Sequence, residues 1–288
     1  MVKPIKKAIV AVAGSGTRLL PATKSIPKEM LTIVDKPIVQ LVAEELVAGG
    51  IEDIILVTKW DKKSLEDHFD HSWELEQELA KAGKTKRLAE VRRISEMANF
   101  IYIRQKGPYG NGTPVLSAAN LVKDEPFIFA WGDDLVKSKI SFTRQMVEDY
   151  EKTGHLMIGV QEVPRDQVER YGIVKLKKGT RLIEDIIEKP QFNEAPSNLA
   201  DFGRMILNQE IIDVLKKTSL GKNSELWIVD AIKNYIKAGG EFYAKGIEDG
   251  EWLTTGDPLN YLKTTLKYAM DRQDIGEDLR EYFNKLAS

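Results

Sequence analysis

The chain has 288 residues, long enough to bury a substantial core in one large α/β domain or two small ones. Hydrophobic residues make up 42% and charged residues 30%, a globular balance, and a formal net charge of −2 lacks the basic field that non-specific nucleic-acid binding needs. The absence of cysteine excludes disulfides, thiolate zinc sites and a cysteine nucleophile.

Taken in order, the first apolar stretch (residues 8–13) is too short for the hydrophobic region of a signal peptide. No apolar run approaches the ~18 residues of a membrane span, so a cytoplasmic location without a membrane partner is expected. Residues 7–13 are small or β-branched and predict a parallel strand buried on both faces. A glycine-rich turn follows, then a polar loop holding Pro21 and Pro27. Pro37 suits the first turn of a helix in which Ile38, Leu41, Val42 and Leu46 share a face, and Gly49 and Gly50 end it. Residues 54–58 form a second buried strand. Strand, helix and strand in this order make a βαβ unit, hence a parallel sheet. Further along, 64–81 reads as one charged amphipathic helix, 100–104 as a strand, 114–121 as helical and 127–130 as a strand. Strands are also expected over 156–163, 171–176 and 180–188, and the chain from Pro258 onward is helical and charged. No repeat, low-complexity tract or linker divides it. One domain over 1–288, with a helical extension over about 258–288, is the simplest organisation.

Chemistry concentrates in a few places. Gly14-Ser15-Gly16-Thr17-Arg18 follows the first strand, where glycines let backbone amides approach an anion and Arg18 adds charge. It is neither a Walker A loop, which needs Gly-Lys-Ser/Thr, nor a dinucleotide fingerprint, since Leu19 takes the third-glycine position. Lys28 in Pro27-Lys28-Glu29-Met30-Leu31 adds a second cation, and a fork and a point charge together suit a triphosphate. Asp133 and Asp134 follow the apolar segment 127–131. Carboxylates at the end of a buried strand sit where open α/β sheets bind ligands, and hard oxygen donors suit Mg²⁺. For Asp134 a plain turn aspartate is a competing reading. Glu188-Lys189, read alone, is a solvated pair. His68 and His71 lack a third ligand at metal-site spacing.

The run from Ala13 to Lys24, then Pro27-Lys28-Glu29-Met30-Leu31 and Val34-Asp35-Lys36-Pro37, closely resembles the bacterial UTP–glucose-1-phosphate uridylyltransferase family of the sugar-1-phosphate nucleotidyltransferase superfamily. Glucose-1-phosphate thymidylyltransferases share a looser version. The likeness continues through Glu66-Asp67-His68-Phe69-Asp70, Arg104-Gln105, Ala195-Pro196-Ser197-Asn198-Leu199 and Gly203-Arg204. It implies a Rossmann-like nucleotidyltransferase fold, with a mostly parallel central sheet flanked by helices. It also implies that a glucose 1-phosphate oxygen attacks the α-phosphorus of UTP in line and pyrophosphate leaves. Matched position by position, Ala13, Gly14, Glu29, Gln105 and Gly110 would hold the nucleotide, with Arg18 and Lys28 on its phosphates. Gly172, Glu188 and Lys189 would meet the sugar phosphate, and Asp133 would carry Mg²⁺. Arg18, Lys28, Asp133 and Lys189 would be the catalytic set. A homodimer or homotetramer is the implied assembly, with no nucleic-acid partner.

Four segments depart from the family pattern. Thr254 stands where a second metal-binding aspartate is usual, with Asp257 close enough in sequence to replace it. Thr113-Pro114 stands for a histidine and a small residue, Trp227 and Val229 for a glutamine and a threonine, and Trp131 for an aliphatic residue. These changes leave open a paralogue that uses another hexose 1-phosphate or dTTP, or a weakly active sugar-nucleotide-binding regulatory protein.

Overall fold

The computed structural model describes residues 2–287. Strand β1 (Lys7–Ala11) runs into the glycine-rich turn, and a loop of short 3₁₀ turns ends in the hairpin β2 (Thr32–Ile33) and β3 (Lys36–Pro37). Helix α1 (Ile38–Ala48) buries Ile38, Val42 and Leu46 and leads to β4 (Asp53–Thr58). Residues 64–81 are not one helix. They fall into α2 (Lys63–Phe69) and α3 (Trp73–Lys81), broken where Asp70 turns extended. The faces explain the break: α2 buries apolar Leu65 and Phe69, whereas the one buried residue of α3 is Glu76, bonded to His71 and Arg92. Helix α4 (Thr85–Glu96) precedes β5 (Asn99–Arg104), and α5 (Thr113–Ala118) precedes β6 (Phe127–Trp131).

Beyond β6 the chain makes β7 (Asp134–Ser138), α6 (Phe142–Thr153), β8 (Met157–Glu162), β9 (Gly172–Leu176), β10 (Ile183–Glu188) and β11 (Leu199–Leu207). It closes with α7 (Gln209–Lys217), α8 (Ile228–Lys237), β12 (Tyr243–Gly246), β13 (Gly250–Thr254), α9 (Pro258–Met270) and α10 (Gly276–Ala287). The C-terminal segment expected to be helical is thus two helices, separated at 271–275.

Strands β6, β1, β4 and β5 lie side by side and parallel, with Ile9 flanked by Phe129 and Ile55. Their apolar side chains are buried on both faces of β1, β4 and β6, as a helix-covered parallel sheet requires. β11 pairs antiparallel with β6, and β8 and β12 extend the sheet beyond it. Between Asp201 and Met205 the register of β11 shifts. Gly203 there adopts φ 72°, and the Trp131 indole lies where its Cβ would stand, so only glycine suits both the bend and the contact. This kink lets one edge of β11 pair first with β9 and then with β6. The antiparallel ribbon β7–β13 crosses beside the carboxyl end of β6. Arg204, fully buried, ties these parts together. Its guanidinium donates to Glu45 Oε2 (3.0 Å) and to the carbonyls of Trp131 (3.1 Å) and Asp134 (3.0 Å), on either side of Asp133.

Candidate active site

A cleft of ≈ 360 Å³ opens at the carboxyl ends of β1, β5 and β6, the place where open α/β sheets bind ligands. Ala13, Gly14, Arg18, Lys28, Gln105, Gly110, Asp133, Glu188 and Lys189 all line it, so residues spread over 176 positions of sequence converge on one space. A larger groove of ≈ 950 Å³ lies against α1 and α4, but its charges pair with one another, Arg93 with Glu44 and Arg272 with Asp35. Convergence of unlike chemistry marks the smaller cleft as the candidate site.

Lys28 stands over Gly14, its Nζ 3.5 Å from where a Cβ would be, and donates to Asp133 Oδ2 at 2.5 Å. Burial opposes the charge on Lys28, but the carboxylates of Asp133 and Glu29 outweigh it and its pKa is raised. Glu29 itself does not reach the cleft wall. It is 0% exposed beneath the loop, with Oε2 paired to Lys62 Nζ at 2.6 Å and Oε1 buried without a partner. Burial raises the Glu29 pKa and lowers that of Lys62, the two costs that a buried ion pair must offset.

The opposite wall joins the end of β10 to the segment before α8. Gly172 lies beside Glu188, and a Cβ there would stand 3.3 Å from Glu188 Oε2, itself buried and unpartnered. Burial raises the Glu188 pKa against the pull of Lys189, whose Nζ is 3.4 Å from Glu188 Oε1. Gly110 has φ 127° and its Cα presses on the Leu226 backbone, which a side chain would strike. The loop 109–112 is thereby joined to the segment that carries Trp227.

Asp133 is placed by its backbone. Besides the Arg204 bonds to its neighbours, its carbonyl accepts from Thr255 Oγ1 at 2.6 Å. Asp134 turns inward, where Oδ1 accepts from Trp252 Nε1 (2.7 Å), and burial, with the Asp133 charge, pushes its pKa up to about 7. Thr254 faces Asp134 across the ribbon. Asp257, the alternative second ligand, is engaged elsewhere: it caps α9 by accepting from Asn260 N (3.0 Å) and pairs with Arg170. His68 and His71 are likewise bonded, to Gln40 (3.0 Å) and Glu76 (2.9 Å). Among the described residues no group of three His, Cys, Asp or Glu side chains could hold a metal, and no helix is long and apolar enough to cross a membrane.

Sequence reasoning quoted Arg204 only within the family likeness and assigned no role to it, to Trp252 or to Arg170. A charge inside the apolar run 199–207 was the available signal, because a buried arginine must be paired. Nothing local to Trp252 marks its bond to Asp134, 118 positions away.

Residues 7–271 match the nucleotidyl transferase family model, which gives the class of the protein. The chain is 44% identical over 287 residues to "UTP--glucose-1-phosphate uridylyltransferase 2" of Staphylococcus saprophyticus, covering 99% of each sequence. Among solved structures it is similar to a UDP-glucose pyrophosphorylase complexed with UDP-glucose (TM-score 0.83, 38% identity, 93% of this chain and 100% of that one). It is similar also to a UTP-bound UGPase from Acinetobacter baumannii (TM-score 0.89, 36% identity, 98% and 99%). The chain therefore belongs to the UTP–glucose-1-phosphate uridylyltransferase family of the nucleotidyltransferases. Enzymes of this kind commonly use a divalent metal ion.

Proposed function

We propose that the chain forms UDP-glucose and pyrophosphate from UTP and glucose 1-phosphate. The observation that carries this reading is the single cleft in which Gly14, Arg18 and Lys28 face Glu188 and Lys189 with Asp133 between their elements. A phosphate oxygen of the sugar phosphate forms a bond to the α-phosphorus of UTP, and the bond from that phosphorus to the bridging oxygen breaks as pyrophosphate leaves. No covalent enzyme intermediate is needed. The protein aligns two anions and neutralises the charge that develops between them.

Ala13, Gly14, Gln105 and Gly110 line the base and ribose side, where the amide of Gln105 offers a donor and an acceptor to a uracil edge. Glu29, paired with Lys62, sets the loop from which Lys28 reaches the phosphates. Arg18 and Lys28 hold the triphosphate, Lys189 the sugar phosphate, and Glu188, beside Gly172, accepts from sugar hydroxyls. The Asp133 carboxylate, a hard oxygen donor lining the cleft, would be the protein ligand of Mg²⁺, an ion that one carboxylate with substrate phosphates can hold. When bound, the ion supplies Lewis-acid neutralisation of phosphate charge. We place the protein in the cytoplasm, as one domain extended by the helices from 258. Exposed Leu259, Leu262, Tyr282 and Leu286 on α9 and α10 support a homodimer or homotetramer.

The test is pyrophosphate release at fixed Mg²⁺ over UTP, dTTP, ATP and GTP, crossed with glucose, galactose, mannose and N-acetylglucosamine 1-phosphates. The pair UTP and glucose 1-phosphate is expected to give the highest kcat/KM. A higher value for another pair would move the assignment to that substrate, and no release from any pair would remove the enzymatic reading.

A further inference from the structure

Lys189 holds φ 44°, a left-handed conformation unusual for a residue with a side chain, so its surroundings fix it. Its ammonium stands between two groups, 3.4 Å from Glu188 Oε1 and 4.3 Å from the centroid of the Trp227 ring. An ammonium on a four-carbon stem is otherwise free to wander. The negative face of an indole attracts it without neutralising it, so its charge stays available to an incoming anion.

Trp227 is itself braced. It is 6% exposed, and its Nε1 donates to the carbonyl of Lys222 (3.0 Å), while Lys222 Nζ donates to the carbonyl of Lys189 (3.4 Å). Ring and lysine thus close one clasp. The residues on either side of Trp227 are bonded to the loop that lines the nucleotide end. Leu226 N donates to Tyr109 O (2.8 Å), Gly112 N to Leu226 O (2.9 Å), and Ile228 N to Asn111 Oδ1 (2.9 Å).

We propose that Trp227 is a positioning residue for the acceptor: its indole face holds the Lys189 ammonium where the phosphate of the sugar 1-phosphate arrives, in fixed relation to the nucleotide wall. The inference rests on the reading of Lys189 as the cation that meets that phosphate. A side chain without a π face leaves the ammonium only Glu188 Oε1 as a partner, turning the cation onto the carboxylate that is to receive the sugar hydroxyls.

The experiment compares KM for glucose 1-phosphate, KM for UTP and kcat in the wild type, Trp227→Phe, Trp227→Leu, Lys189→Ala and the double variant Lys189→Ala/Trp227→Leu, with melting temperatures alongside. Trp227→Leu should raise KM for glucose 1-phosphate about tenfold, the size of a partly desolvated cation–π contact, and leave KM for UTP within about twofold. Trp227→Phe, which keeps a ring, should recover most of the loss. In the Lys189→Ala background, Trp227→Leu should add less than about twofold, because residues that act through one another are not additive. The proposal is overturned by an unchanged KM for glucose 1-phosphate in Trp227→Leu, by an equal rise in both KM values, or by full additivity in the double variant. A wild-type KM for glucose 1-phosphate in Lys189→Ala would instead overturn the reading of Lys189, and with it the role given to Trp227. A wild type that does not turn over glucose 1-phosphate has the same consequence.

Discussion

At the nucleotide end of the cleft two lysines are each matched closely by a carboxylate, Lys28 by Asp133 (2.5 Å) and Lys62 by Glu29 (2.6 Å), against 3.4 Å for Lys189 and Glu188 at the acceptor end. The acceptor end is built differently. Of the four buried side-chain atoms left without a partner among the described residues, Trp131 Nε1, Glu188 Oε2 and Asp201 Oδ2 lie on that side, against Glu29 Oε1 on the other. A buried polar group left unpaired costs about 1–3 kcal/mol. Trp131 and Glu188 line the cleft, so a polyhydroxylated ligand has more to complete at the acceptor end, while Asp201 lies beneath it.

The contrast can be broken by experiment. The largest effect is expected from Lys28→Ala, which removes a preorganised charge from the transferring phosphate. Turnover should fall by roughly 10²–10³-fold, with little change in melting, because the Asp133 left behind is partly exposed to water. Near-normal turnover would show that the pair is structural only.

Next in size is the pH dependence of stability at the acceptor end. Folding raises the Asp134 pKa from 3.8 to about 7, so the folded state binds that proton more tightly than the unfolded chain. The stabilisation is fully present below pH 3.8 and is lost as pH rises through about 7. Asp134→Asn keeps an oxygen acceptor for Trp252 Nε1 without the titration. It should match the wild type at low pH and exceed it above pH 7 by up to a few kcal/mol. Urea unfolding at several pH values measures the difference, and parallel pH profiles would contradict the assignment.

The smallest effects concern the ribbon β7–β13 and the start of α9. Thr254→Asp should lower the Mg²⁺ concentration for half-maximal rate and raise the rate, since a carboxylate binds Mg²⁺ far better than a hydroxyl. Asp257→Asn should leave that midpoint untouched, because Asp257 is committed to the α9 cap and Arg170. Its cost in stability should stay below about 1 kcal/mol, asparagine being an equal N-cap. A Mg²⁺ titration of initial rate separates the two variants. A shifted midpoint in Asp257→Asn would make Asp257 the second ligand, and an unchanged midpoint and rate in Thr254→Asp would contradict a weakened metal site at that position.

The same contrast decides what could be read from sequence. The nucleotide end is largely contiguous: the buried strand, the glycine turn, Arg18 and Lys28 lie within 22 positions, where period and turn chemistry are local signals. β1, α1, β4 and β6 were legible for that reason. At the acceptor end the wall comes from Arg170 and Tyr171, Glu188 and Lys189, Glu225 and Trp227, and Thr254 and Gly256, short stretches well apart in sequence that the fold brings together. β11 was hidden because Asp201 and Arg204 interrupt its apolar run, although both are fully buried. The split between α2 and α3 was hidden because charged periodicity continues across Asp70. Resemblance singled out Glu188 and Lys189, but the indole that lies 4.3 Å from the Lys189 ammonium needed the structure.

Direct in-line transfer between the two ends is the centre of the account, and the stereochemistry at the transferred phosphorus tests it most directly. A single diastereomer of UTP carrying sulfur on the α-phosphorus is turned over with glucose 1-phosphate, and the configuration of the UDP-glucose formed is read by phosphorus NMR. One in-line displacement predicts inversion. Retention would require a second displacement through a covalent enzyme intermediate, and would contradict a cleft that works by positioning and charge alone.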